Sequence, residues 1–119
     1  KETLEELVKY IRANAPSMAI MADCDNLESA AEADRLGFDY IGTTMRGYTQ
    51  ATKGMEIPDY DFIARLVELY PDRRIIAEGG IWERGQLDKV WSLGVYAVVI
   101  GSAITRPMDI TKRFAQVIK

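Results

Sequence analysis

Glu78 closes an apolar, β-branched run, Ile75-Ile76-Ala77, and Gly79-Gly80 follow it at once. A carboxylate at the C-terminal end of a strand that leads into a helix stands where active-site groups collect in parallel α/β proteins, and there it could exchange a proton near neutrality. A second run, Val98-Val99-Ile100, ends in Gly101-Ser102-Ala103. Strand, glycine, helix is an arrangement that brings backbone N–H groups to a phosphate, because glycine lets the main chain approach the anion closely. Ser102 adds a hydroxyl donor. Two such turns in consecutive strand–helix units point to one phosphate held between them, with Glu78 at its rim. The plainer readings stay open: glycines that only permit tight turns, and an acid that caps a helix or pairs with an arginine.

Arg106, in Ile104-Thr105-Arg106-Pro107, lies just past the second turn and could fork onto phosphate oxygens. Asp23 ends an earlier apolar run and could face the same mouth, or bond the turn toward Asp25 and Asn26. Thr43 and Thr44 could offer hydroxyls to a sugar or cap the loop that follows. Arg46, Tyr48 and Lys53 lie in that long polar loop, residues 45–58, and could fold over a ligand. The chain has no histidine, so acid–base chemistry falls to Glu, Asp, Lys, Tyr or Cys. Cys24 has no neighbouring cation to make a thiolate and reads as an incidental small residue. Trp82 and Trp91 read as packing or interface residues on one helix.

The elements that would hold these residues alternate. Thr3 and Glu6 have capping-box spacing, and Leu4, Leu7, Val8 and Ile11 continue as a helix. A strand over Met18–Ala22 and a helix over Leu27–Leu36 follow, with Asp25 and Glu28 as a second capping box and Gly37 ending the helix. Next come a strand over Phe38–Gly42, a helix over Asp59–Leu69, a strand over Arg74–Ala77 and a helix over Trp82–Leu93 closed by Gly94. A strand over Ala97–Ile100 and a last helix over Met108–Ile118, with Thr105 as its candidate cap, complete the pattern. Strands that read as unbroken apolar runs, joined by helices, imply a parallel sheet with right-handed crossovers. Leu36-Gly37 and Leu93-Gly94 repeat at a spacing of 57 residues, two strand–helix units, and Asp23 and Glu78 occupy matching strand ends. Such a repeat is expected of a (β/α)8 barrel built by duplication; four strands make half of one. The rival is a small, open, doubly wound sheet.

The 119 residues suffice for one domain with one core, and 48% apolar with 28% charged is ordinary for a globular protein. A net charge of -3 argues against general nucleic-acid binding. No apolar run approaches the roughly 18 residues of a membrane span. The single cysteine excludes an internal disulfide framework and fits a reducing cytoplasm. The chain opens directly in a helical pattern at Lys1, as a piece of a longer chain would.

The block Leu36-Gly37-Phe38-Asp39-Tyr40-Ile41-Gly42-Thr43-Thr44, with Arg46-Gly47-Tyr48-Thr49 after it, resembles the C-terminal half of bacterial N-acetylmannosamine-6-phosphate 2-epimerases. So do Ile76-Ala77-Glu78-Gly79, Gly101-Ser102-Ala103-Ile104-Thr105-Arg106-Pro107 and Ile110-Thr111-Lys112-Arg113-Phe114. The resemblance runs over residues 1–119. It implies a (β/α)8 barrel, of which this chain is one half-barrel domain, acting on a sugar phosphate in sialic acid catabolism without a cofactor. It further implies abstraction of the C2 proton by a lysine on the third barrel strand, upstream of this chain. Glu78 matches the active-site glutamate, Gly79-Gly80 and Gly101-Ser102 match the phosphate loops, and Arg106 matches the substrate arginine. Many members carry Asn or Arg where this chain has Gly80. Partners expected on this reading are the missing N-terminal half or further copies in a homo-oligomer. Other phosphate-binding barrels, and a half-barrel that only binds phosphate, are the alternatives.

Overall fold

The computed structural model describes residues 1–118. Ten elements follow one another: α1 (Leu4–Asn14), β1 (Met21–Asp23), α2 (Leu27–Arg35), β2 (Tyr40–Gly42), α3 (Tyr60–Leu69), β3 (Arg74–Glu78), α4 (Arg84–Ser92), β4 (Ala97–Val99), α5 (Ser102–Thr105) and α6 (Pro107–Ala115). The four strands form one parallel sheet in the order β1-β2-β3-β4. Sequential order without a reversal is the order of a barrel wall; a doubly wound sheet needs a switch point, and none occurs among the described residues.

Alternation along the strands separates two faces. Ile41, Ile75 and Ala77 point to the helices and are buried with Val8 of α1, Ala30 and Ala33 of α2, Phe62, Ile63 and Leu66 of α3 and Val90 of α4. The opposite face carries Asp23, Gly42, Glu78 and Val99, and Asp23 and Val99 are exposed on it. One core on one side of the sheet is what half a barrel leaves when its lumen lies open. Helix α6 packs chiefly against α5, and its Phe114 is exposed.

Local signals explain most of the boundaries. Both bonds of the Thr3–Glu6 capping box form, at 2.8 and 3.2 Å. The box of α2 is shifted by one residue from the expected pair: Asn26 accepts from the Ser29 N–H at 2.8 Å and its own N–H reaches Ser29 Oγ at 3.3 Å. Asp25 is drawn off by Thr49, whose hydroxyl donates to it at 2.6 Å. Helix α4 starts at Arg84 rather than Trp82 because Gln86 Oε1 accepts the N–H groups of Trp82 and Glu83, at 2.7 and 3.0 Å. Thr105 does not cap α6. Its hydroxyl donates to the Gly101 carbonyl at 3.1 Å, closing the short α5 that the sequence pattern did not reveal. Strands β1 and β2 start later than their apolar runs, because the sheet register begins at Met21 opposite Tyr40. Gly37 and Gly94 leave α2 and α4 with φ of +75° and +87°, so the repeated Leu-Gly pairs do the same work in both units.

Candidate functional site

A cavity of about 610 Å³ opens at the C-terminal ends of β3 and β4. Its wall contains Glu78, Gly79 and Gly80 from the first turn, Gly101 and Ser102 from the second, and Arg106. The two glycine turns therefore face one space, within the usual range for a small-ligand pocket. The long loop adds Tyr48 and Ile57, the start of α4 adds Trp82 and Gln86, and α6 adds Arg113.

The two turns differ in what requires their glycines. Gly79 and Gly80 have φ of +108° and +72°, which a side chain seldom accepts. A Cβ on Gly80 would stand 2.5 Å from the Ile57 backbone carbon and oxygen. Loop 45–58 thus lies directly on this turn, and an Asn or Arg at position 80 would demand a different path for Ile57. Gly101 has negative φ and open space where its Cβ would be. No feature of the described chain demands glycine there, which leaves the space in front of it for a ligand.

Arg106 is well exposed and holds Asp109 only loosely, at 3.7 Å. Its guanidinium is free to turn to an anion. Arg113 was not singled out from the sequence, where it reads as one more cation on a polar helix. It lies 5.0 Å from the Trp82 ring centroid and pairs with Glu83 at 3.0 Å. Trp82 precedes α4 instead of lying inside it, and lines the cavity, while Trp91 is exposed on the helix.

Asp23 and Thr43 do not line the cavity. The Asp23 carboxylate accepts from the Thr44 hydroxyl at 2.9 Å, and that same hydroxyl lies 3.2 Å from Glu78 Oε2. Thr43 corrects the sequence expectation. It is 3% exposed, and its hydroxyl accepts from the Glu78 N–H and donates to the Glu78 carbonyl, each at 3.0 Å. With its proton committed to main chain it has none to offer a sugar. Thr44 is the hydroxyl at the mouth.

Loop 45–58 is also more fixed than its composition implied. Arg46 donates twice to Asp59, at 3.0 and 2.8 Å, and once to the Asp25 carbonyl, with its guanidinium 4.6 Å from the Phe62 ring centroid. Thr52, 2% exposed, accepts from the Gly47 N–H and shares a hydrogen bond with Thr49. Arg46 is a staple of the loop, and neither it nor Lys53 is among the residues that line the cavity. Of the three loop candidates only Tyr48 faces the cavity. Cys24 is buried; loss of solvent pushes its thiol up against a lowering hydrogen bond with Ser29, and the Asp23 and Asp25 charges add to the rise. It has the character of an inert core thiol.

Fold and site together define one half of a parallel (β/α)8 barrel, with a polar cavity at the strand ends where such barrels work. A family model described as "Putative N-acetylmannosamine-6-phosphate epimerase" matches residues 1–119, and the chain belongs to that family. A curated relative from Staphylococcus carnosus (strain TM300), "Putative N-acetylmannosamine-6-phosphate 2-epimerase", is 50% identical over the whole chain and 54% of its own length. The solved N-acetylmannosamine-6-phosphate 2-epimerase of Clostridium perfringens is 39% identical, with a TM-score of 0.88 over 98% of this chain and 50% of that one. Thiamine phosphate pyrophosphorylase from Pyrococcus furiosus is 25% identical, with a TM-score of 0.66 over 88% of this chain and 49% of that one. The chain spans about half the length of the curated relatives it matches.

Proposed function

We propose that this chain is the C-terminal half of a complete barrel that interconverts N-acetylmannosamine 6-phosphate and N-acetylglucosamine 6-phosphate. The observation that carries the reading is the single cavity whose wall includes both glycine turns, Glu78 and Arg106. The family match along the whole chain supports the choice of substrate.

On this reading the phosphate lies between Gly79-Gly80 and Gly101-Ser102, with Arg106 forked onto its oxygens. The clamp fixes the far end of the sugar and uses that binding energy to orient C2. The sugar reacts open-chain, because only the aldehyde makes the C2 proton acidic. Loss of that proton gives an enolate that carries the acetamido group at C2, and the return of a proton on the opposite face inverts C2. Glu78, at the cavity rim, moves a hydroxyl proton or serves one face. Tyr48 and Ile57 help to keep water out. The resemblance puts the abstracting lysine on the preceding half. The isolated chain is therefore expected to turn over little or no substrate.

The outer edges of β1 and β4 have no strand partner among the described residues. Pairing with the other half of the barrel satisfies both. Among the described residues no helix is long and apolar enough to cross a membrane. With a net charge of -3 and a buried free cysteine, the reading includes a cytoplasmic enzyme without nucleic-acid partners.

The test is exchange at C2. The complete barrel, incubated in D2O with either amino-sugar phosphate, is expected to place deuterium at C2 of both epimers. Absence of exchange overturns the epimerase reading; phosphate binding without exchange would leave a barrel that only holds the anion.

A further inference from the structure

We propose that Thr44 is the positioning residue of the acid site, its hydroxyl joining the carboxylates of Asp23 and Glu78 and holding Glu78 toward the cavity. The inference rests on the reading of Glu78 as the working acid.

Asp23 ends β1 and Glu78 ends β3, so β2 lies between the two acids. The register sets Gly42 beside Asp23 on one side and Ile76 on the other. Gly42 lies on the face of both carboxylates, and Thr44, in the turn that follows β2, brings its hydroxyl to that face. A Cβ on Gly42 would collide with Met21 Cε and stand 3.2 Å from Thr44 Oγ1. The missing side chain thus leaves the room that the Thr44 hydroxyl occupies. From there Oγ1 reaches Asp23 Oδ1 at 2.9 Å and Glu78 Oε2 at 3.2 Å.

One hydroxyl carries one proton and two lone pairs. That single proton is divided between the two carboxylates, with the shorter reach to Asp23.

Its neighbour completes the grip. Thr43 Oγ1 bonds both main-chain groups of Glu78, while Thr44 Oγ1 bonds the side chain. Glu78 is held at backbone and at carboxylate by two consecutive residues of the adjacent strand end. A long, otherwise free side chain is thereby confined to one direction, which a proton-transfer group requires.

The experiment compares Thr44→Val, which keeps the shape and removes the hydroxyl, with Thr44→Ser, which keeps the hydroxyl, in the complete barrel. Expected for Thr44→Val is a kcat lower by about tenfold or more with KM changed less than about twofold, and for Thr44→Ser recovery of most of the rate. Crystal structures are expected to show the Glu78 carboxylate displaced in Thr44→Val and in place in Thr44→Ser. An unchanged kcat in Thr44→Val, or a loss that Ser does not restore, overturns the inference while leaving the epimerase reading intact. If the unmodified barrel exchanges no C2 proton, the epimerase reading fails on its own. The crystal structures then decide: a displaced Glu78 supports the positioning role and an unmoved one ends it.

Discussion

Thr43 and Glu78 are joined twice across the boundary between β2 and β3, through one buried hydroxyl that serves both the N–H and the carbonyl of the acid residue. The parallel ladder pairs Gly42 with Ile76 and then runs out, so the last residue of β3 would face the neighbouring strand end without a regular partner. A side-chain hydroxyl substitutes for the missing backbone groups. Glu78 thereby stays in extended geometry up to the point where Gly79 turns the chain away.

Thr43→Val should therefore act on stability first. It leaves two main-chain groups of Glu78 without a partner in a site that water scarcely reaches, at a cost of about 1–3 kcal/mol. Chemical denaturation of the complete barrel is the measurement. A midpoint unchanged from the parent would show that solvent or a shifted backbone takes over both bonds.

Glu78→Gln separates binding from chemistry. The amide keeps the size of the side chain and can still bond Thr44, but it cannot exchange a proton. The expected result is a fall in turnover of about 100-fold or more, with affinity for the sugar phosphate nearly unchanged. Steady-state kinetics with parallel calorimetry reads both quantities. Unaltered turnover would remove Glu78 from the mechanism.

The glycines of the two turns should fail in different ways. Gly80→Ala forces a Cβ against the Ile57 backbone at a positive φ, so it should lower the melting temperature and disturb loop 45–58. Gly101→Ala meets no atom of the described chain and should leave the melting temperature unchanged. Gly101 lines the cavity, so a methyl group beside the space proposed for phosphate should lower affinity. Normal affinity in Gly101→Ala would move the anion away from that turn.

Asp39 gives the fold an acid limit. Its carboxylate accepts from the Ile20 N–H at 2.8 Å and from Arg12 at 2.9 Å, tying the end of α1 to the starts of β1 and β2. First that N–H and then the guanidinium hold the carboxyl below the usual aspartate range. A depressed folded value means that this stabilisation is fully present above the ordinary aspartate value of about 4 and is lost as the pH falls through the depressed one. Asp39→Asn should melt lower than the parent at pH 6, with the gap closing below about pH 4. Melting curves at pH 6 and pH 3 test it; an equal gap at both would assign the effect to packing.

The elements were legible because local chemistry specifies them. The capping box at Thr3, the glycines at 37 and 94 and the apolar runs of the strands each act within a few residues. The paired glycine turns could be expected to face one space because consecutive units of a parallel sheet end side by side. Less legible were features that depend on what lies across a strand. The Asn26 cap, the late start of α4 and the four-residue α5 each follow from a side chain choosing one nearby partner over another. The loop misled for the same reason. Arg46 and Lys53 looked alike on a polar segment, yet Arg46 finds Asp59 and Phe62 and is not among the residues that line the cavity.

By itself, then, the order of residues determined four parallel strand–helix units, an acid at the end of the third strand and two close-approach turns beside it, since periodicity and glycine act locally. Only the tertiary structure decided that the turns share a cavity with Arg106 and Arg113, that Thr43 is spent on the Glu78 main chain, and that Thr44 stands between Asp23 and Glu78. Those relations join residues distant in the chain. Their geometry comes from strand register and from competition for a limited number of hydroxyl protons, neither of which a short stretch of sequence contains.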